Sequence, residues 1–322
     1  MKSYKELREL IDLRLNKIEY FDETKSLYSP VEYILSLKAK RIRPVLLMMS
    51  HQLFSDNLKK AISPAIGVEI FHNFTLLHDD IMDNASFRRG YQTVHEKWSN
   101  NTAILSGDVM LIESYKHMIE VDRKIIKDVL KIYNSAAVQV CIGQQWDMDF
   151  ENKKNVTISE YIKMIEYKTA VLIAASMQIG GLTGGADSKI QEHLFEFGKN
   201  IGIAFQLKDD LLDAFGNEKV FGKETGGDIK SNKKTFLYLK ALESADDKTA
   251  KRLIKYYNTV QSDNIQKINN VKEIFVNLNI IHHTNILIKK YHDLAMKSLK
   301  HINVEGKDNF YELSNKLLDR IN

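Results

Sequence analysis

The sequence has 322 residues, of which 44% are hydrophobic and 27% charged, so the chain can fill a large core and is not intrinsically disordered as a whole. A formal net charge of +4 is too balanced to indicate a nucleic-acid-binding protein, and the single Cys141 excludes a disulfide framework and a cysteine-built zinc site. With only 3 Pro and 15 Gly, the chain lacks the turn residues of a β-sandwich or barrel, which favours long helices.

The first predicted element is an amphipathic helix near the N-terminus. Apolar residues recur there at spacings of three and four, at Leu7, Leu10, Ile11, Leu15 and Ile18. The segment is charged throughout, unlike a signal peptide, and no later run of about 18 apolar residues could span a bilayer. We therefore expect a cytoplasmic protein without stable membrane insertion.

Helical periodicity continues along the chain. It predicts helices over 45–54, 61–82, 103–120, 125–146, 159–180, 190–215 and 237–242, followed by shorter helices to residue 318. Clusters of Gly, Asn and Asp predict loops at 86–101, 151–156, 180–187 and 216–234. No tandem repeat or composition break marks a boundary, so we predict one all-α domain over residues 1–322.

Two apolar helices end in the same acidic pattern, Asp-Asp-x-x-Asp, at residues 79–83 and 209–213. Asp79 and Asp83 are four residues apart, so their side chains share one helical face and repel each other. A solvated helix end would explain one such cluster. Two copies instead indicate a divalent metal, because Mg²⁺ takes hard oxygen ligands and keeps open positions for a substrate phosphate.

Basic residues occur where a metal-bound diphosphate would need them. They precede the first cluster at Lys40, Arg41 and Arg43, follow it at Arg88 and Arg89, and follow the second at Lys223, Lys230, Lys233 and Lys234. Each group alone is typical of a solvated surface. Together with two acidic clusters, they indicate binding of phosphate oxyanions.

These motifs resemble the all-trans isoprenyl diphosphate synthase family from about Lys38 to Thr235. Further matches are 105–108 (Leu-Ser-Gly-Asp), 143–147 (Gly-Gln-Gln-Trp-Asp), the Lys168-Thr169 pair and the Phe205-Gln206 pair. The family often has Gly-Gly where Lys38-Ala39 stand, and proline where Gln92 and Glu224 stand. The resemblance implies a helical fold around a deep central cavity, a homodimer, and head-to-tail (1′-4) condensation of isopentenyl diphosphate with an allylic diphosphate.

The resemblance also implies residue roles. Two or three Mg²⁺ ions would be bound by Asp79, Asp83 and Asp209. The allylic diphosphate would be held by Arg88, Lys168, Lys223 and Lys233, with Thr169 and Gln206 lining the reacting carbon. Isopentenyl diphosphate would be held by Lys40, Arg43, His72 and Arg89. The residues implied to be catalytic are Asp79, Asp83, Arg88, Lys168, Asp209 and Lys233, whereas we interpret His78 as structural.

Product length depends on how far a growing chain can run along the helix before Asp79. Phe74 lies five residues upstream, about 7.5 Å at 1.5 Å per residue, and Phe71 three residues further. In the resembling family an aromatic at the Phe74 position is associated with short products, and the first cluster lacks the two-residue insertion of many bacterial farnesyl enzymes. We expect a C20 product, with C15 next.

Two alternatives stay open at this point. A class I terpene cyclase also ionises an allylic diphosphate with Mg²⁺, but it usually has one Asp-rich cluster and needs no isopentenyl site, so Lys40, Arg43 and Arg89 argue against it. A non-catalytic partner subunit of a prenyl synthase typically lacks one aspartate cluster, whereas both are intact here.

Overall fold

Helices account for nearly all regular structure in the part of the chain that the computed structural model describes, residues 1–18, 25–216, 225–258 and 264–318. In chain order they are α1 (Tyr4–Leu15), α2 (Lys25–Ser36), α3 (Ile42–Gln52), α4 (Lys59–Met82), α5 (Val94–Lys97), α6 (Asn100–Met118), α7 (Ile126–Asn152), α8 (Ile158–Ile165), α9 (Val171–Gly184), α10 (Ser188–Phe215), α11 (Gly227–Lys230), α12 (Phe236–Ser244), α13 (Asp247–Asn258), α14 (Asn264–Asn277), α15 (Ile280–Lys300) and α16 (Asp308–Leu318). The all-α prediction is confirmed.

Several details differ from the sequence-based expectations, including the unpredicted helix α2 and the short helix α11 inside the predicted loop at 216–234. The predicted loop at 86–101 contains a two-residue antiparallel pairing of β1 (Phe87–Arg88) with β2 (Tyr91–Gln92), and the short helix α5. The single helix predicted over 159–180 is divided into α8 and α9 by a π-helical turn, Glu166–Ala170. The hydrophobic pattern continues through this turn, so periodicity alone does not reveal it.

The chain divides into two compact units. The first comprises residues 1–136, 172–195 and 301–309, and the second comprises 137–171, 196–300 and 310–322. A single domain over residues 1–322 stays a prediction. Each unit carries one aspartate cluster and part of the basic set.

Helix α4 is the centre of the first unit. Its residues are buried on several sides, which fits its apolar composition, and it packs against α3 and α6. Gly67 allows the close approach of α6, because a Cβ there would lie 3.0 Å from the Ser114 carbonyl oxygen. The Ser114 hydroxyl in turn donates a 2.8 Å hydrogen bond to the Gly67 carbonyl. This packing fixes the direction in which α4 carries the first aspartate cluster.

The second unit has its own apolar core, which includes Leu207, Leu211, Phe236 and Phe275. Leu207 and Leu211 are buried residues of α10, four positions apart, so one face of that helix is held in the core. The second aspartate cluster is at the C-terminal end of the same helix. In both units, therefore, an anchored helix presents the carboxylates.

Candidate active site

The first aspartate cluster closes α4. Asp79 is half-buried, and Asp83, the C-cap residue, is exposed. Asp80 faces inward with 1% of its surface exposed. The helical period therefore separates the three carboxylates into an outer pair at 79 and 83 and one inner group at 80.

Asp80 is bound by Arg88 from strand β1. The Arg88 Nε donates to both carboxylate oxygens at 2.8 and 2.9 Å, and Nη2 lies 2.6 Å from Oδ1. Burial raises the pKa of Asp80, although the hydrogen bonds and charge of Arg88 act in the opposite direction. Asp80 thus fixes the Arg88 guanidinium near the end of α4.

The Arg-Arg-Gly segment turns sharply between β1 and β2. Arg89 has φ 55° and Gly90 has φ 81°, so two consecutive residues adopt the left-handed region. For a non-glycine residue this conformation carries strain, which is found most often where a side chain must be aimed for function. The Arg89 side chain is half-buried, and the charges of Glu69 and Asp80 on α4 act to raise its pKa, against the larger effect of burial.

Arg43, His72 and Arg89 form a cationic cluster. Arg43 Nη1 lies 3.0 Å from His72 Nε2, and because a guanidinium only donates, this nitrogen accepts and the imidazole is neutral. Burial and the surrounding arginine charges lower the pKa of His72 well below its usual value. Burial, together with Arg89, lowers the pKa of Arg43 to about 10. The positive charge of this cluster is incompletely balanced.

Two guanidinium nitrogens of this cluster, Arg43 Nε and Arg89 Nη1, are buried without a hydrogen-bond partner among the described residues. Buried donors normally find partners, so their state points to an oxyanion that completes the site. Arg41, by contrast, is saturated by Glu69 at 2.7 Å and Asp12 at 2.9 Å. Arg41 is therefore structural, whereas Arg43 belongs to the cationic cluster.

Lys40 is exposed, and its carbonyl accepts a hydrogen bond from the Tyr4 hydroxyl. The left-handed residue of this segment is Arg41, with φ 51°, whereas Lys38 and Ala39 do not have a positive φ. The backbone before α3 therefore does not require glycine at position 39. The departure from the family pattern leaves this conformation intact.

An aromatic row lies along α4 before Asp79. The Phe74 ring centroid lies 5.5 Å from that of Phe71 and 4.9 Å from that of His78, and Phe71 packs edge-on against Tyr133 of α7 at 5.3 Å. His78 occupies space above Gly107 of α6, where a Cβ would lie 2.3 Å from His78 Nε2. Phe71, Phe74 and His78 thus form one aromatic row, and its role as the floor for a growing product stays a prediction.

The second aspartate cluster repeats the division of the first. Asp209 and Asp213 are half-buried, whereas Asp210 is 5% exposed. Asp210 accepts hydrogen bonds from the Tyr161 hydroxyl and from Gln206 Nε2, the latter at 2.9 Å. Burial raises the pKa of Asp210 to about 7, against the effect of these hydrogen bonds. As Asp80 does in the first cluster, the buried carboxylate of Asp210 orients its hydrogen-bond partners, Tyr161 and Gln206.

Asp213 is held by the start of α11. The Asp228 backbone N–H donates to Asp213 Oδ2 at 2.9 Å, and the Gly226 N–H donates to the Asp213 carbonyl at 2.6 Å. Gly227 keeps this approach open, because a Cβ there would lie 3.1 Å from Asp213 Oδ1. These contacts hold Asp213 against the start of α11.

The remaining residues expected at the allylic site lie in the second unit. Thr169 Oγ1 donates to Gln206 Oε1 at 3.0 Å, which continues the hydrogen-bond chain through Gln206 to Asp210. Lys168 and Lys233 both contact the Asp147 carboxylate, at 2.6 and 3.1 Å. Lys223, also expected here, and Glu224 lie outside the described residues.

Sequence reasoning missed several partners of these groups. Asp147 was visible only as part of the 143–147 match, and its contact with Lys233 joins residues far apart in the chain. The bond of Tyr161 to Asp210 has no local sequence signal. The Asp80–Arg88 pair, eight residues apart, could have been suspected from their opposite charges.

The carboxylates fit Mg²⁺. Among the described residues, no group of three or more His, Cys, Asp or Glu side chains is arranged to hold a metal by itself. Mg²⁺ is typically bound by one or two carboxylates together with waters and substrate phosphates, not by an all-protein cage. The carboxylates of Asp79 and Asp83 in the first unit, and of Asp209 in the second, are groups of the chemical type that such binding uses, and their role stays a prediction.

Comparison with known proteins gives the family. The polyprenyl synthetase family profile matches residues 24–275. The chain belongs to the polyprenyl synthetase family. Members are Mg²⁺-dependent enzymes that act on isopentenyl and allylic diphosphates, and this chain is a trans-prenyltransferase of isoprenoid biosynthesis.

Individual relatives agree. A geranylgeranyl diphosphate synthase of Methanosarcina mazei is 39% identical over 236 residues, covering 72% of each chain. A crystal structure of a geranylgeranyl pyrophosphate synthase superposes with a TM-score of 0.95 at 41% identity over 100% of both chains. A polyprenyl synthase of Caulobacter crescentus CB15, complexed with calcium and isoprenyl diphosphate, gives a TM-score of 0.85 at 25% identity, covering 99% of this chain and 94% of that one.

No helix in the described part of this polyprenyl synthetase is both long enough and apolar enough to span a bilayer.

Proposed function

We propose that this prenyltransferase condenses isopentenyl diphosphate head-to-tail (1′-4) with an allylic diphosphate and releases an all-trans C20 product. The observation that carries the proposal is the cationic cluster of Arg43, His72 and Arg89, in which two buried guanidinium nitrogens have no hydrogen-bond partner within the described part of the chain. A class I terpene cyclase ionises one diphosphate and needs no second oxyanion site. A second site in addition to the aspartate clusters favours a condensing enzyme.

The cationic cluster binds the diphosphate of isopentenyl diphosphate in this proposal, with exposed Lys40 adding charge. Arg forks suit phosphate oxygens geometrically. Burial first, and then the charges of neighbouring arginines, lower the pKa of Arg43 and of Arg89, and a bound anion would offset the contribution of those charges. The neutral His72 orients Arg43 through the 3.0 Å hydrogen bond.

The allylic diphosphate is assigned to Arg88, Lys168, Lys223 and Lys233. Asp79, Asp83 and Asp209 bind two or three Mg²⁺ ions, which act as Lewis acids on the departing diphosphate. The intact second cluster argues against a non-catalytic partner subunit, and the calcium and isoprenyl diphosphate in the Caulobacter relative are consistent with the assignment.

The chain's own residues serve three steps. Arg88, Lys168 and Lys233 place positive charge where negative charge develops on the leaving group, so they bind the transition state better than the ground state. Gln206 Oε1, oriented by Thr169, is an electron-rich group near the allylic C1 cation. Arg43, His72 and Arg89 hold isopentenyl diphosphate so that its double bond attacks that cation, and the released diphosphate takes the proton.

Product length is assigned to the aromatic row. The Phe74 ring packs between Phe71 and His78, and it limits how far the growing prenyl product can extend along α4 from Asp79. The names of the Methanosarcina relative and of the 41% identical structure, both geranylgeranyl synthases, support a C20 product. C15 is the next candidate.

We further propose that the enzyme is a cytoplasmic homodimer. The family resemblance is the main support, and α6 also carries exposed apolar side chains seven residues apart, Leu105 at 59% and Ile112 at 61% exposure. Light scattering coupled to gel filtration tests the proposal, which predicts twice the 37.2 kDa chain mass.

One assay tests the reaction and product. The protein is incubated with Mg²⁺, labelled isopentenyl diphosphate and, separately, dimethylallyl, geranyl or farnesyl diphosphate, and the dephosphorylated products are separated by chromatography. The proposal predicts label in an all-trans C20 alcohol. Cyclic hydrocarbons formed from the allylic substrate alone, or no incorporation at all, would contradict it.

A further inference from the structure

The π-helical turn that carries Lys168 is packed tightly against α7. A Cβ added at Gly143 would lie 2.3 Å from the Lys168 backbone nitrogen and 2.7 Å from its Cα. Contact this close requires glycine at position 143. Asp147 is one helical turn further along α7, so its side chain is directed to the same neighbour.

Asp147 holds two lysines through one oxygen. Its Oδ2 accepts from Lys168 Nζ at 2.6 Å and from Lys233 Nζ at 3.1 Å. The three side chains are 13%, 23% and 19% exposed, in that order, so solvent screens them only partly. Without Asp147, two ammonium groups this close would repel each other and separate.

The charge state of Asp147 agrees with this arrangement. Burial alone would raise the pKa of Asp147, but the charges of Lys168 and Lys233 and their hydrogen bonds prevail and lower it. The carboxylate is therefore ionised at neutral pH. Lys233 Nζ also lies 3.7 Å from Glu151 Oε1. Because an ammonium carries three N–H donors, each lysine can bind Asp147 and a phosphate oxygen at the same time.

We propose that Asp147 is a positioning residue that holds Lys168 and Lys233 side by side as a preformed two-cation clamp for the allylic diphosphate. The inference rests on the proposed assignment of these two lysines to that substrate. Asp147 itself does not touch the substrate. Its contribution is to bring the cations together before binding, so that their ordering is not required during the reaction.

The direction of the change in allylic binding distinguishes positioning of the lysines by Asp147 from competition between Asp147 and the substrate. If Asp147 merely competed with the diphosphate for the lysines, removing its charge would tighten allylic binding. If it positions them, removing its charge weakens allylic binding and leaves isopentenyl binding unchanged. A general loss of structure would affect the KM of both substrates or the folded fraction.

The test compares Asp147→Asn with Asp149→Asn in the full chain, with saturating Mg²⁺. Asp149 is an exposed carboxylate on the same helix, hydrogen-bonded to Gln145, and is a matched control. We expect Asp147→Asn to raise the allylic KM at least tenfold and to lower kcat, with the isopentenyl KM within twofold and the control near wild type. An unchanged or lower allylic KM overturns the inference.

Lys168→Ala and Lys233→Ala separate this inference from the function on which it rests. If neither raises the allylic KM, the assignment of the lysines fails. If both raise it and Asp147→Asn does not, only the positioning role fails. In the double lysine variant, Asp147→Asn should have no further effect on allylic KM, and an additional tenfold change contradicts the inference. If Asp147→Asn does not fold, Asp147→Ser is tested instead. A raised allylic KM then supports the inference, and an unchanged or lower one overturns it.

Discussion

Arg88 binds the carboxylate of Asp80 through three contacts of 2.6 to 2.9 Å, and Asp80 is almost completely buried. The second aspartate of the first cluster therefore stabilises the structure and orients an arginine. Its outer neighbours, Asp79 and Asp83, carry the proposed metal-binding role. Within this one motif, Asp80 has a structural role, whereas Asp79 and Asp83 have the proposed catalytic role.

Removing the inner carboxylate should chiefly affect stability. Asp80→Asn leaves Arg88 partly buried beside a neutral group, and we expect it to lower the free energy of unfolding by about 3 kcal/mol. Asp79→Asn, on the outer face, should change that free energy by less than about 1 kcal/mol while removing most turnover. Urea unfolding and steady-state assays measure both. Equal stability of the two variants would contradict the division.

Shortening the aromatic row should lengthen the product. Phe74→Ala removes a ring packed against Phe71 and His78, and we expect products of C25 and beyond, with a loss of about 3 kcal/mol in stability. Phe275→Ala, in the core of the second unit, should lower the stability by a similar amount without changing the length of the prenyl product. Chromatography measures the product lengths. An unchanged distribution from Phe74→Ala would show that Phe74 does not limit product length.

The contact of His78 with Gly107 should influence the same floor. Gly107→Ala places a Cβ 2.3 Å from His78 Nε2, so the ring must move, and it packs against Phe74. We expect an altered product distribution. Gly67→Ala also crowds the α4–α6 packing, but against Met118 and Ser114, and should leave the distribution as it is. Identical product profiles for the two variants would show that His78 does not position Phe74.

The titration of His72 reports on the cationic cluster. Burial and four arginines lower its pKa, so in the free protein the imidazole should remain neutral below its ordinary value of about 6.5. Pyrophosphate bound without Mg²⁺ offsets the arginine charges and should raise this pKa, so binding should tighten as the pH falls. NMR of the imidazole nitrogens measures the shift.

His117 provides an internal control for that titration. Its pKa is also lowered by burial, but its ring is next to Ser63 and Glu120 instead of the arginines. Pyrophosphate should therefore leave the His117 titration unchanged. A His72 pKa that does not respond to pyrophosphate, or that moves together with His117, would contradict an anion site at the cluster.

Local pattern was sufficient for most of the fold. Periodicity predicted α4 and α10, and the helical period alone places Asp79 and Asp83 on one face. It did not identify α2, whose interior contains Pro30, or the π-helical turn at Glu166–Ala170. Both depart from regular helix chemistry in ways that the apolar spacing does not record.

The candidate site was predicted in its charged residues but not in its partners. By residue type Arg41 and Arg43 are equivalent, and only the family resemblance selected Arg43. The structure supplies the physical difference, because Arg41 has a left-handed φ and is bound to Glu69. Asp147 and Lys233 are likewise joined by tertiary packing across a long stretch of chain. Such pairs carry no short-range signal from which they could be inferred.

The central claim is that both aspartate clusters serve the same Mg²⁺-dependent ionisation, and a double-mutant cycle in kcat tests it most directly. Asp79→Asn, Asp209→Asn and the double variant are assayed with an allylic diphosphate and isopentenyl diphosphate at saturating Mg²⁺. Lost metal stabilisation of several kcal/mol predicts about a 10³-fold decrease for each single variant, and the double variant should be little worse because the residues act on one step. Near-normal rates in either single variant, or fully additive losses in the double, would contradict it.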